Sequence, residues 1–85
     1  MPTLSTFYGI KITMNYNDHA PPHFHAEYQE WEVIVDIQNG NIEGKMPRRA
    51  VSLIWTWLDE HRDELIENWQ RARNRQPLLP IQPLE

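Results

Sequence analysis

Eighty-five residues with four Trp, three Tyr and two Phe supply one small domain with one core and leave no room for a second. A hydrophobic share of 40%, a charged share of 24% and a formal net charge of −4 describe a globular chain and oppose a generic polyanion-binding role, because phosphate neutralisation by Lys and Arg dominates nucleic-acid affinity. The absence of cysteine removes disulfides, thiolate metal sites and Cys nucleophiles, so site chemistry falls to His, carboxylates, Arg/Lys or hydroxyls.

Met1 to Ser5 has neither a basic segment nor an apolar run, and no stretch approaches the ~20 apolar residues of a membrane span. The expectation is a cytoplasmic chain without a membrane segment. Residues 7–16 then alternate, with Tyr8, Ile10, Ile12, Met14 and Tyr16 on one parity and Lys11, Thr13 and Asn15 on the other, the period of a half-buried strand. Asn17, Asp18, His19 and the pair Pro21-Pro22 end it, since proline cannot donate to a ladder.

Alternation resumes at Phe24. Phe24, Ala26 and Tyr28 oppose His23, His25 and Glu27, and Trp31, Val33, Val35 and Ile37 oppose Glu32, Ile34 and Asp36. A turn at Gln29-Glu30 pairs Tyr28 with Trp31, Ala26 with Val33 and Phe24 with Val35, which puts His25 opposite Ile34 and His23 opposite Asp36. Asn39-Gly40 is the usual type I′ pair and predicts a short further strand, Asn41 to Glu43, with Ile42 facing Ile37 and Glu43 facing Asp36.

Pro47 suits a first helical position, and from there to about Asn74 the apolar residues Val51, Ile54, Trp55, Leu58, Leu65, Ile66, Trp69 and Ala72 step by three and four. A straight helix of that length would extend ~42 Å, against about 30 Å for the whole domain. It therefore bends, around Asp59 to Asp63 where the stripe thins, or it projects. Ala50, Leu53 and Trp57 broaden the apolar arc, which points to a partner or homodimer surface at Leu53 and Trp57. The competing reading is that Leu78, Leu79, Ile81 and Leu84, spaced by prolines, pack back as an extended strap.

The outer sheet face gathers His23, His25, Glu27, Glu32, Asp36 and Glu43, with Asp18 and His19 on the loop leading in. Histidines two apart on a strand point the same way, so His23 and His25 could reach one divalent transition metal with Asp36 or Glu43 as carboxylate ligand. The same imidazoles could instead serve as general acid and base in a metal-free RNA cleavage, making Asp18, His19, His23 and His25 catalytic candidates. The phosphate would then be held by Arg48 and Arg49 in the first helical turn, an anion-binding pair. A purely structural alternative has Asp18 capping the turn and the imidazoles bonding loop carbonyls.

Phe7-Tyr8-Gly9-Ile10, then Asp18-His19-Ala20-Pro21-Pro22-His23-Phe24-His25-Ala26, Pro47-Arg48-Arg49-Ala50, His61-Arg62-Asp63-Glu64-Leu65 and Asn68-Trp69 resemble the signature of a small bacterial family, domain of unknown function 4160, over nearly the whole chain. The resemblance implies a two-protein module of toxin–antitoxin type, with this family as the toxin and a small adjacent-gene protein, of the domain of unknown function 2442 type, as the partner. Gln29-Glu30 departs from the pattern, where relatives carry a turn glycine.

The resulting expectation is a single α+β domain over residues 1–85. Residues 1–46 form a small antiparallel sheet of three to four strands, residues 47–74 a long or kinked C-terminal helix packed on it, and residues 75–85 an extended Pro-rich tail. The expected function is a bacterial toxin component with a His-rich surface, acting, if an enzyme, as a small ribonuclease or a metal-dependent hydrolase. The alternative is a non-enzymatic protein- or metal-binding regulator.

Overall fold

The computed structural model describes residues 2–85. Strands β1 (Thr3–Phe7), β2 (Ile10–Thr13), β3 (His23–Tyr28), β4 (Trp31–Asp36) and β5 (Ile42–Gly44) precede one helix, α1 (Arg48–Arg73). The strands form one antiparallel sheet in chain order, β1-β2-β3-β4-β5. The α+β class stands, with five strands in place of three to four.

The additional strand comes from Tyr8 and Gly9. Their φ values of 50° and 81° are the two positive angles of a tight hairpin turn, so Phe7 pairs with Ile10 and the chain before it folds back as β1. The alternating run starting at residue 7 thus straddles a turn. The next hairpin keeps the expected register, with His23 opposite Asp36, His25 opposite Ile34 and Tyr28 opposite Trp31, although Gln29 has to adopt a φ of 55° to close it.

The Asn39-Gly40 hairpin is corrected by two residues on β4. Ile42 faces Val35 and Glu43 faces Ile34, because Asp36 N–H bonds to the Asn41 carbonyl and Gly40 N–H to the Asp36 carbonyl, closing a four-residue loop. The Asp36 carboxylate accepts the Gln38 and Asn39 N–H groups within that loop. Long-range bonds hold it further: Arg62 Nε donates to the Ile37 carbonyl and Trp55 Nε1 to the Gly40 carbonyl. At the end of β5, Gly44 is obligatory, since a Cβ there would lie 2.7 Å from the Glu32 carbonyl oxygen.

Ile10, Ile12, Phe24, Ala26, Val33 and Val35 bury one face of the sheet, and α1 covers it with Ala50, Ile54, Trp57, Leu58, Leu65, Trp69 and Ala72. A straight helix of these 26 residues would run ~39 Å, longer than the 33 Å long axis of the molecule. It bends at His61, whose φ of −126° and ψ of 22° are non-helical, inside the stretch where the apolar stripe thins.

Trp57 is a correction to the proposed docking face. It is fully buried, with ring centroids 5.3 Å from Phe7 and 5.7 Å from Phe24, and its Nε1 donates to the Gln82 carbonyl. The segment after the helix supplies that cover. Ile81 is buried and its N–H bonds to the Leu4 carbonyl on β1, while the Asn68 side chain exchanges two 2.8 Å hydrogen bonds with the Leu79 backbone. Leu53 stays half-buried, and Trp55, placed in the core stripe by its spacing, is 46% exposed.

Candidate metal centre

Strand β3 positions the histidines through its two-residue period. Phe24 between them is fully buried in the core, whereas the imidazoles of His23 and His25 turn away from it with ring centroids 5.4 Å apart. Residues 14–22 then bring Asp18 back over the strand. Its Oδ2 lies 3.1 Å from His23 Nε2 and 3.0 Å from His25 Nε2, and one ligand atom from each of the three side chains falls within 4.8 Å of the others. The side chains are 15% (both histidines) and 22% (Asp18) exposed, so solutes reach a cluster that is mostly shielded.

The neighbours fix these orientations. His23 Nδ1 is 2.9 Å from the Pro21 carbonyl, which can only accept, so that nitrogen carries a proton. This is the loop-carbonyl bond expected of the structural alternative, and it also leaves Nε2 aimed at the carboxylate. The Ala20–Pro21 peptide that presents the carbonyl is cis. Asn15 Nδ2 lies 3.5 Å from Asp18 Oδ1 and 3.3 Å from His25 Nε2, bracing both groups. The His23 ring rests against Trp69 of α1 at 5.2 Å, and Arg75 beyond the helix donates to the Asn17 side chain at 3.3 Å.

Burial pushes the Asp18 carboxyl up, but hydrogen bonds from His25 and Asn15, with the charges of His23 and His25, outweigh it and hold the group below its ordinary value. Asp18 is therefore a carboxylate at neutral pH, the form a cation requires.

The geometry sorts the sequence candidates. Asp18, His23 and His25 come together. His19 is exposed and lines an adjoining cleft. Asp36, expected as the carboxylate ligand, lies outside the cluster, its Oδ1 accepting from the loop N–H groups, and Asp18 is the carboxylate that lies beside the two imidazoles. Arg48 and Arg49 are exposed at the start of α1, and Arg49 shares a groove with Tyr28 at the far end of β3. Five strand steps of ~3.3 Å put that end about 17 Å from His23, so the arginines do not join the histidines in one phosphate site.

Asn15 and Trp69 are not among the site candidates read from the sequence, where Trp69 belongs to the apolar stripe of the helix. Asn15 continues the outward parity of Lys11 and Thr13, and Thr13 pairs with His25, a signal that was available. Nothing local to Trp69 could have placed it beside a histidine 46 positions away.

The family model described as "Domain of unknown function (DUF4160)" matches residues 9–70. No curated protein and no solved structure matches the chain. Among the described residues, no helix is long and apolar enough to cross a membrane.

Proposed function

The chain belongs to the DUF4160 family, and we propose that its working centre is a divalent transition-metal site formed by Asp18, His23 and His25. One observation carries this reading: His23 donates Nδ1–H to a carbonyl while its Nε2 faces a carboxylate oxygen. A neutral ring so anchored sets a lone pair against an anion, and His25 directs a second imidazole nitrogen at the same oxygen. In the neutral rings a metal cation held among the three relieves this conflict, as a proton on each Nε2 does in the ion-paired form. Histidine ligands commonly carry this anchor, a backbone carbonyl on the far ring nitrogen that fixes the tautomer.

The spacing agrees. Metal bonds of ~2.1 Å place adjacent ligand atoms roughly 3.0–3.4 Å apart in octahedral or tetrahedral arrangements; the two nitrogens lie 3.1 and 3.0 Å from the shared oxygen. Two His and one carboxylate leave coordination positions open, the donor set of Zn, Fe, Mn or Ni sites that do chemistry. A bound metal would supply Lewis-acid polarisation and an acidified water. The chain's part is to orient His23 through the Pro21 carbonyl, to hold Asp18 through Asn15 and to keep that carboxyl ionised.

The biological setting in this reading is that of a growth-inhibiting cytoplasmic protein, neutralised by a small adjacent-gene partner and acting through the metal centre as a hydrolase. The family resemblance supports the toxin role and the partner, and the donor set supports the metal chemistry. The arginines' distance from the cluster favours the metal-dependent hydrolase over the ribonuclease that needs them.

Two measurements test the proposal. Protein purified without chelators or an affinity tag should carry about one transition-metal ion per chain by elemental analysis, and His23→Ala with His25→Ala should carry none. Expression without the partner should arrest growth, and the same double variant should relieve the arrest. Metal content unchanged by the double variant would refute the site, and arrest that persists would separate the site from the toxicity.

A further inference from the structure

The metal cluster opens sideways into a cleft of about 250 Å³ on the outer face of the sheet, and His23 belongs to both. Pro21 and Ile34 give it apolar surface. His19, Asp36, Asn41 and Glu43 supply its other polar walls, and none of the residues lining it is Lys or Arg. Asp36 is held rigidly there, because its Oδ1 accepts two loop N–H groups, while Oδ2 makes no hydrogen bond among the described residues. Glu43 comes from β5, facing Ile34.

We infer that this cleft binds a cationic aliphatic group, an ammonium or guanidinium on a short methylene stem, as the recognition element of the substrate presented to the proposed metal centre. The inference rests on the metal reading for the word substrate, and on the cleft alone for the ligand class. The stem lies along Ile34 and Pro21, where its methylenes leave water. The charged end meets Asp36 and Glu43 in charge-assisted hydrogen bonds. A phosphate or nucleic-acid backbone is disfavoured in the same place: two carboxylates repel it, no guanidinium or ammonium lines the wall to receive it, and the chain's net charge of −4 adds to the repulsion. A lysine- or arginine-bearing peptide, or a free diamine, carries the chemistry that fits.

The test is calorimetric titration of metal-loaded full-length protein with agmatine, with cadaverine and with inorganic phosphate, repeated on Glu43→Gln. Glu43 is exposed, so the variant keeps the fold, and a thermal melt verifies it. The expected result is saturable binding of agmatine or cadaverine, none of phosphate, and affinity weakened roughly tenfold in Glu43→Gln with metal content unchanged. Agmatine carries a guanidinium and an ammonium, so binding of agmatine without cadaverine marks the guanidinium as the group recognised, and binding of both marks the ammonium. Failure of both amines to bind, tighter binding of phosphate, or full affinity in Glu43→Gln overturns the inference. Glu43-dependent amine binding in protein that takes up no metal would sustain the cleft and overturn the metal centre, so the two readings fail separately.

Discussion

At one end of β3, His23 and His25 converge on Asp18; at the other, Tyr28 stacks on Trp31 with ring centroids 6.3 Å apart, beside a groove lined by Tyr8, Arg49 and Leu53. The same strand sets up both through its two-residue period. The histidine end is built by a loop that returns over the strand, with Pro21 bracing His23 and Asn15 bracing Asp18. The arginine end is built by the start of α1, with no acidic residue in its first turn and no side-chain cap. One end gathers a carboxylate and two imidazole nitrogens in a mostly shielded cluster and the other leaves its positive charges in solvent, so charge separates the ligands the two ends can attract.

The largest expected effect removes the frame common to both ends. Trp57→Ala should destabilise the fold by about 3–5 kcal/mol, read as a lower denaturant midpoint, because the ring packs on Phe7 and Phe24 and anchors the Gln82 carbonyl. A loss below 1 kcal/mol would restore Trp57 to the surface role first expected of it.

A smaller effect should be confined to the histidine end. Asn15→Ala removes the brace on the Asp18 carboxylate and should weaken zinc affinity by roughly 10–100-fold in a competition titration. Arg49→Ala, at the other end, should leave it unchanged.

Acid should then discriminate the ends without metal. Asp18 has a folded-state pKa below its unfolded value, so its contribution to stability is complete above about pH 4 and is lost as pH falls through the depressed folded value. In metal-free protein Asp18→Asn should be less stable than the parent at pH 5–7, and the gap should close in strong acid. A gap independent of pH would show that the carboxylate's charge does not hold the cluster. The smallest effect lies at the arginine end, where Arg48→Glu reverses an unfavourable charge on the helix macrodipole and should raise stability by ~0.3–1 kcal/mol at low salt.

Much of this architecture was legible from residue order, unevenly so. Period-two alternation placed Phe24 in the core and His23 and His25 opposite it, and the Gln29-Glu30 register followed from matching core parities. What failed depended on distant contacts. Asn39-Gly40 reads locally as a type I′ turn, but Asp36, Arg62 and Trp55 hold a longer loop, so Glu43 slips to face Ile34. Tyr8 hid the first turn because a tyrosine at positive φ is uncommon. The side-chain cluster was readable in part: strand spacing paired the histidines, whereas the carboxylate beside them comes from a loop whose path no periodicity encodes. Trp57 fell in a broad apolar arc whose cover, the segment around Ile81, carries no pattern that fixes where it packs.

The central claim is that Asp18, His23 and His25 hold one metal ion, and a cobalt titration of the metal-free protein, followed by its visible absorption, tests it most directly. The prediction is a ligand-field spectrum saturating at one cobalt per chain, lost in the His23→Ala, His25→Ala pair, shifted in Asp18→Asn and unchanged in Asp36→Asn. Saturation that depends on Asp36 and ignores Asp18, or no spectrum at all in folded protein, would contradict it.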